Sequence, residues 1–258
     1  MRTYIRLKLP RGIALLLAGA GMAAAAASPM EEARVAFEAR DYERAATLLV
    51  AATGEGSTDA EAFHLLSQVR LAEKNASEAV KWSEKATKID ASRAEYFSQL
   101  GAALGTRMNE VGFMQQAMLA GKLKKAFERA VELNPNDVGG LMGLSRYYSR
   151  APEIAGGSKV KAKELARRVR ELAPFLGSME LGAIAEQEER YVEALEHYAA
   201  AAETNPAHGW AQHVCGRVLV RLGRVEEARE RFRAALRNDP ALDAAKEALG
   251  ALDVSEGR

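Results

Sequence analysis

One cysteine in 258 residues leaves the chain without an internal disulfide, so packing alone must hold the fold even in an oxidising compartment. Aromatic side chains are scarce at 6%, which excludes a core built around a few bulky groups. The seven prolines fall between periodic segments, and no stretch alternates apolar and polar residues as a half-buried strand does. No apolar run is long enough to span a bilayer. What the chain does have is 48% hydrophobic content with alanine throughout, which predicts an all-α protein with many small helix contacts.

The first 27 residues have the composition of a processing segment. Arg2, Arg6, Lys8 and Arg11 form a basic start, Gly12 to Met22 is a short apolar run, and Ala25-Ala26-Ala27 offers a small-residue cleavage site. Neither twin arginines nor a cysteine after the apolar run is present, so folded export and lipid attachment have no support. General secretion with cleavage near Ala27 is expected, placing the product in a periplasm or outside the cell. A mitochondrial presequence is the alternative, and the compact apolar run argues against it. The formal charge of +1 changes on removal of four basic residues and no acid, leaving 32 basic against 35 acidic residues, a balance of −3. Nucleic acid is excluded as an expected partner.

Comparison of the chain with itself sets up a 34-residue register from Ala60 to Arg93 that recurs to the C-terminus. Position 8 of the register reads Ala33, Ser67, Gly101, Ser145, Gly182 and Gly216; position 20 reads Ala45, Ala79, Leu123, Ala162, Ala194 and Ala228; position 27 reads Ala52, Ala86, Ala130, Val169, Ala201 and Ala235. Small residues at these spacings let two helices approach to the lower limit of helix packing, about 8 Å. Position 24 supplies a filler in Leu49, Phe127, Tyr198 and Phe232, and is smaller at Ser83 and Ala166. Pro135, Pro174, Pro206 and Pro240 lack the donor that would continue a helix. Helix starts are predicted from capping boxes at Ser28–Glu31, Thr58–Glu61 and Ser92–Glu95.

These residues resemble the tetratricopeptide repeat, whose pattern is W-x2-L-G-x2-Y, then A-x3-F, then P. The last unit matches best, with Gly216, Ala228, Phe232, Ala235 and Pro240 in place, while Gln212 and Leu219 stand where aromatics are usual. The resemblance implies an all-α, right-handed α-solenoid of about six helical hairpins. Its units are 28–59, 60–93, 94–137, 138–174, 175–208 and 209–242, followed by a capping helix in 243–258. The third unit carries about ten extra residues around Arg107 to Ala117, which predicts a longer second helix. The fourth carries five more in the loop from Arg150 to Gly157, ahead of Ser158 as a helix cap.

The resemblance further implies that first-helix positions form a concave wall for a protein or peptide partner. His64, Gln68, Met142, Arg146, Met179, Trp210, His213, Arg217 and Arg221 fall there. Trp210, His213, Arg217 and Arg221 share one helix face and would suit a carboxylate or acidic segment. Met108, Val111, Met114 and Met118 in the insertion are either core or a second contact surface. No lysine and asparagine pair occupies the positions of the family's carboxylate clamp. A metal-handling or hydrolytic role for His208, His213 and Cys215 is the alternative, although their spacing shares no helix face and a fourth ligand is lacking. Gly156-Gly157-Ser158-Lys159 is expected to be an interhelix turn, not a phosphate loop. Glu186 to Glu189 is expected to be a solvated helix end. No cofactor and no metal is expected, and self-association is a third possibility.

Overall fold

A computed structural model describes residues 28–256, with side chains to 253. The predicted segment 1–27 lies outside the described residues. Thirteen α-helices follow one another with no strand among the described residues: α1 (Pro29–Glu38), α2 (Tyr42–Leu49), α3 (Ala60–Ala72), α4 (Ala76–Ile89), α5 (Ala94–Met108), α6 (Phe113–Leu133), α7 (Val138–Arg150), α8 (Lys159–Leu172), α9 (Pro174–Gln187), α10 (Tyr191–Thr204), α11 (Gly209–Arg221), α12 (Val225–Asn238) and α13 (Asp243–Glu256). Each helix packs on the next, and odd-numbered helices also touch one another from α1 to α9. The result is an all-α repeat solenoid, with odd-numbered helices on one wall and even-numbered helices on the other. None of the described helices is long and apolar enough to cross a membrane.

The register explains how each hairpin closes, because positions 8 and 24 of a unit face each other and their sizes compensate. Gly101, Gly182 and Gly216 meet the rings of Phe127, Tyr198 and Phe232, and a Cβ on any of the three glycines would come within 2.4 to 2.6 Å of ring carbon. Where position 8 is Ser67, its partner is Ser83, and the two hydroxyls lie 2.5 Å apart while both bond the Ala79 carbonyl at 2.9 Å. Where it is Ser145, the partner is Ala166 and the hydroxyl donates to the Ala162 carbonyl. A ring needs a glycine opposite it, and a small residue needs a hydroxyl or methyl to fill the gap. Alanines at positions 20 and 27 are fully buried almost without exception.

Helix starts follow the sequence in part. Ser28 caps α1 by accepting from Glu31 N, and Ser158 caps α8 by accepting from Lys161 N. At α3 the cap is Asp59, not Thr58, and its carboxylate accepts from Ala62 N. The box expected at Ser92 does not form: α5 starts after Arg93 with no side-chain cap, and the Ser92 hydroxyl donates to Asp90 instead. Pro174 also departs from expectation, because it opens α9 after the single linking residue Ala173. The insertion does lengthen the second helix of its unit, α6 having 21 residues. Val111 precedes that helix, and Met114 and Met118 are 82% and 72% exposed, which overturns the core reading for both methionines.

Candidate functional site

Adjacent odd-numbered helices are joined along their wall by polar contacts, and these place most of the candidate residues. Arg34 of α1 pairs with Glu61 of α3. His64 of α3 bonds Gln68 at 3.2 Å, and its ring lies 4.8 Å from that of Tyr96 on α5. The Ser98 hydroxyl of α5 donates to Asp137, the cap of α7. Arg146 of α7 donates to the buried Glu180 of α9 at 2.9 Å. Glu186 of α9 accepts from Arg217 of α11 at 2.7 Å and from the Tyr198 hydroxyl at 2.9 Å. Much of the charge expected to await a partner is therefore used between units.

The acidic run is likewise no simple solvated end. Glu188 pairs with Lys163 of α8 at 2.9 Å and with Arg190 at 2.5 Å, so it ties hairpins together as Glu186 does.

Four candidates remain open. Trp210 is 42% exposed, and its inner face stacks on His213 at 4.9 Å. Arg221 is exposed one turn beyond Arg217 and makes no ion pair among the described residues. Met142 and Met179 are half-buried at equivalent places on α7 and α9. His213 is 6% exposed and sits between Trp210 and Phe232, so it supports the platform from beneath and cannot meet a partner directly. Burial, with Arg217 nearby, holds its imidazole below the ordinary range. Leu176 went unnoticed in sequence: it occupies on α9 the register position that Trp210 holds on α11, and it is 38% exposed. Register arithmetic alone would have found it.

The proposed metal or hydrolytic trio does not come together. His208 accepts from Ala211 N through Nδ1 as the cap of α11. Cys215 is fully buried among Ala185, Tyr198, Ala202 and Val218, where burial pushes its thiol up to about 11, so thiolate is scarce and unreachable near neutral pH. Among the described residues no three His, Cys, Asp or Glu side chains are grouped to hold a metal ion. Gly156 and Gly157 form the expected turn: Gly156 adopts a φ of 84°, and a Cβ on Gly157 would strike the Ala151 carbonyl oxygen at 1.8 Å.

His64 gives this wall a pH dependence. Its burial, opposed by Glu95 and reinforced by Arg93 and Arg34, lowers its pKa from the ordinary 6.5 to about 4. The folded state therefore stays unprotonated where the unfolded state takes up a proton. The stability is fully present above about pH 6.5 and is lost as pH falls toward 4. The expected loss from this residue is about 3 kcal/mol, and urea midpoints measured from pH 7 to pH 4 should flatten in part in His64→Gln. An equally steep pH dependence in the variant would contradict the assignment.

Two profiles of the tetratricopeptide repeat match the chain, over residues 30–94 and 185–252. Among solved structures the fold is similar to that of TTC0263, a thermophilic TPR protein of Thermus thermophilus, at 18% identity and TM-score 0.65, covering 74% of this chain and 97% of that one. It is also similar to PilW, a type IV pilus biogenesis factor, at 15% identity and TM-score 0.67, covering 86% and 96%. Pseudomonas aeruginosa pilF is a third, at 16% identity and TM-score 0.59, covering 85% and 94%. No curated protein matches the chain in sequence. With the two profiles together spanning half of its length, and with size-matched hairpins stacked from end to end, the chain belongs to the tetratricopeptide-repeat family.

Proposed function

We propose that the protein is a protein-interaction scaffold, exported by removal of residues 1–27, that holds an acidic peptide segment against the odd-numbered wall of its last two hairpins. The observation that carries this reading is the pairing of Trp210, 42% exposed and stiffened by the His213 stack, with Arg221 on the same helix face, unpaired among the described residues. A rigid aromatic surface contributes contact area with little loss of side-chain entropy, and a guanidinium fork recognises a carboxylate in two hydrogen bonds. Leu176 extends the apolar floor toward Met179. Arg217 is held by Glu186, which offsets its charge, so Arg221 makes the direct contact. The wall holds a ligand and offers no reaction chamber, since its one thiol is buried and its ion pairs serve the joints between units.

A photo-crosslinking residue in place of the exposed Ala207, beside Trp210, used in living cells and read by mass spectrometry, should trap that partner. In an Arg217→Ala, Arg221→Ala double variant the adduct should fall at least tenfold, on the scale of one or two charge-assisted hydrogen bonds. The far-ultraviolet helical signal should not change. Undiminished crosslinking by the folded double variant would refute the acidic-partner reading. Export is checked separately, by finding the mature N-terminus near Ser28 in the periplasmic fraction.

A further inference from the structure

The edge of the solenoid where odd-numbered helices end and even-numbered helices begin carries two projections, and both are apolar at the tip. Helices α2, α4, α8, α10 and α12 each begin three residues before register position 20, whereas α6 begins ten residues before Leu123. The seven extra residues carry its start about 10 Å further out, at about 1.5 Å per residue. On that extension Phe113, Met114 and Met118 are 83%, 82% and 72% exposed. The neighbouring hairpin adds the 151–158 loop, whose tip Ile154 is 98% exposed. This loop is pinned outward, because the Tyr147 hydroxyl donates to the Ala155 carbonyl at 2.7 Å and Ser158 N donates to the Tyr148 carbonyl at 2.9 Å.

The two projections share a base. Leu119, Tyr147 and Tyr148 pack in one cluster, Lys124 lies over both tyrosine rings, and Lys161 lies over Tyr148. Behind the tips lysines predominate. Residues 113–125 contain three lysines and no acid, and 158–163 contain three more lysines and again no acid. Lys122, Lys125 and Lys161 are exposed and without an ion pair among the described residues, whereas Glu110 and Glu128 are already paired with Arg107 and Lys124. Among the described residues Glu153, beside Ile154, opposes them at the tip, and Glu164 follows Lys163 at the base. Apolar groups standing out on ridges find no matching hollow in a flat protein surface, but they sink into the soft headgroup layer of a bilayer. Lysines just behind them then meet lipid phosphate.

We propose that this edge docks peripherally on a membrane rich in anionic phospholipid. Phe113, Met114, Met118 and Ile154 enter the headgroup layer, and Lys122, Lys125 and Lys161 lie against lipid phosphates. The full chain with Gln115→Cys takes an environment-sensitive fluorophore at that position alone, because Cys215 is fully buried. Added phosphatidylcholine vesicles containing phosphatidylglycerol should shift its emission to the blue, while the same label through Glu203→Cys, at the opposite edge, should not respond. Lys122→Glu, Lys125→Glu and Lys161→Glu together should weaken vesicle binding on the order of a hundredfold, and Phe113→Ser with Met114→Ser and Met118→Ser should abolish the shift. The proposal fails if the chain sediments with vesicles while the label at 115 stays unmoved, which would assign binding to another part such as residues 1–27. It fails equally if pure phosphatidylcholine binds as well, if no vesicle binds, or if the shift follows protein concentration without lipid, the mark of a second copy on this edge.

Discussion

Gly177→Ala is expected to destabilise the solenoid by about 3 kcal/mol or more, although alanine is the better helix former by about 1 kcal/mol. The reason is what a methyl group there would meet: Arg170 backbone nitrogen at 2.1 Å and Arg170 Cα at 2.2 Å. A side chain in that place could rotate away, but the backbone of α8 cannot, so α9 must swing off its neighbour. The contact arises from the link between these helices. Four residues separate α4 from α5, α6 from α7, α10 from α11 and α12 from α13, whereas Ala173 alone separates α8 from α9. The shortened link pulls the first turn of α9 down onto the last turn of α8. Gly121→Ala in α6 supplies the control, because nothing lies within 4 Å of its added Cβ, and the chain should gain about 1 kcal/mol. Urea unfolding of the two variants should therefore shift in opposite directions. Shifts of the same sign would show that helix propensity, and not the close approach at Gly177, governs both sites.

That glycine also marks where sequence reading stops. The missing spacer after Pro174 is visible in the sequence, but its consequence depends on two backbones meeting, which no periodicity records. The small residues at positions 8, 20 and 27 were legible because each repeats at a fixed interval and buries almost completely. Helix caps were less so: Asp59 takes the cap from its neighbour Thr58, and the Ser92 hydroxyl turns to Asp90, leaving α5 without a side-chain cap. Side-chain exposure in the insertion was not legible, since Met114 and Met118 show the same helical spacing whether a neighbour covers them or none does. Phe113, 83% exposed, was overlooked for that reason.

The odd-numbered wall shows the same division between pattern and partner. Register places Arg146, Glu180, Glu186 and Arg217 on neighbouring helices, yet only the folded chain reveals that they pair with one another. Pairing of this kind fixes one hairpin against the next, where a solenoid has only nearest-neighbour contacts to hold its shape. It also narrows the proposed recognition surface to residues the joints leave over, which are Trp210, Arg221, Leu176 and the two half-buried methionines. A binding surface made of leftovers is small, so its specificity should rest on few side chains.

Phe232→Ala should be the most damaging truncation near that surface, at about 3 to 5 kcal/mol for a buried aromatic. The ring is 1% exposed, fills the notch left by Gly216, touches the His213 ring at 5.5 Å, and packs with Leu219 and Leu252. Removing it therefore loosens three things together: the closure of the last hairpin, the seat of α13, and the His213 layer that holds Trp210. Because repeats unfold from their ends with limited cooperativity, protection against hydrogen exchange should fall first in α11 to α13 while α3 to α7 keep theirs. Tryptophan emission should move to the red as Trp210 loses its support, and crosslinking from position 207 should fall with it. Gly216→Ala should destabilise the same hairpin, and adding Phe232→Leu should recover part of that loss, a coupling on the order of 1 kcal/mol between side chains that share one space. Strictly additive effects of these two substitutions would mean that ring and notch are not matched, and the size compensation read at positions 8 and 24 along the chain would lose its physical basis.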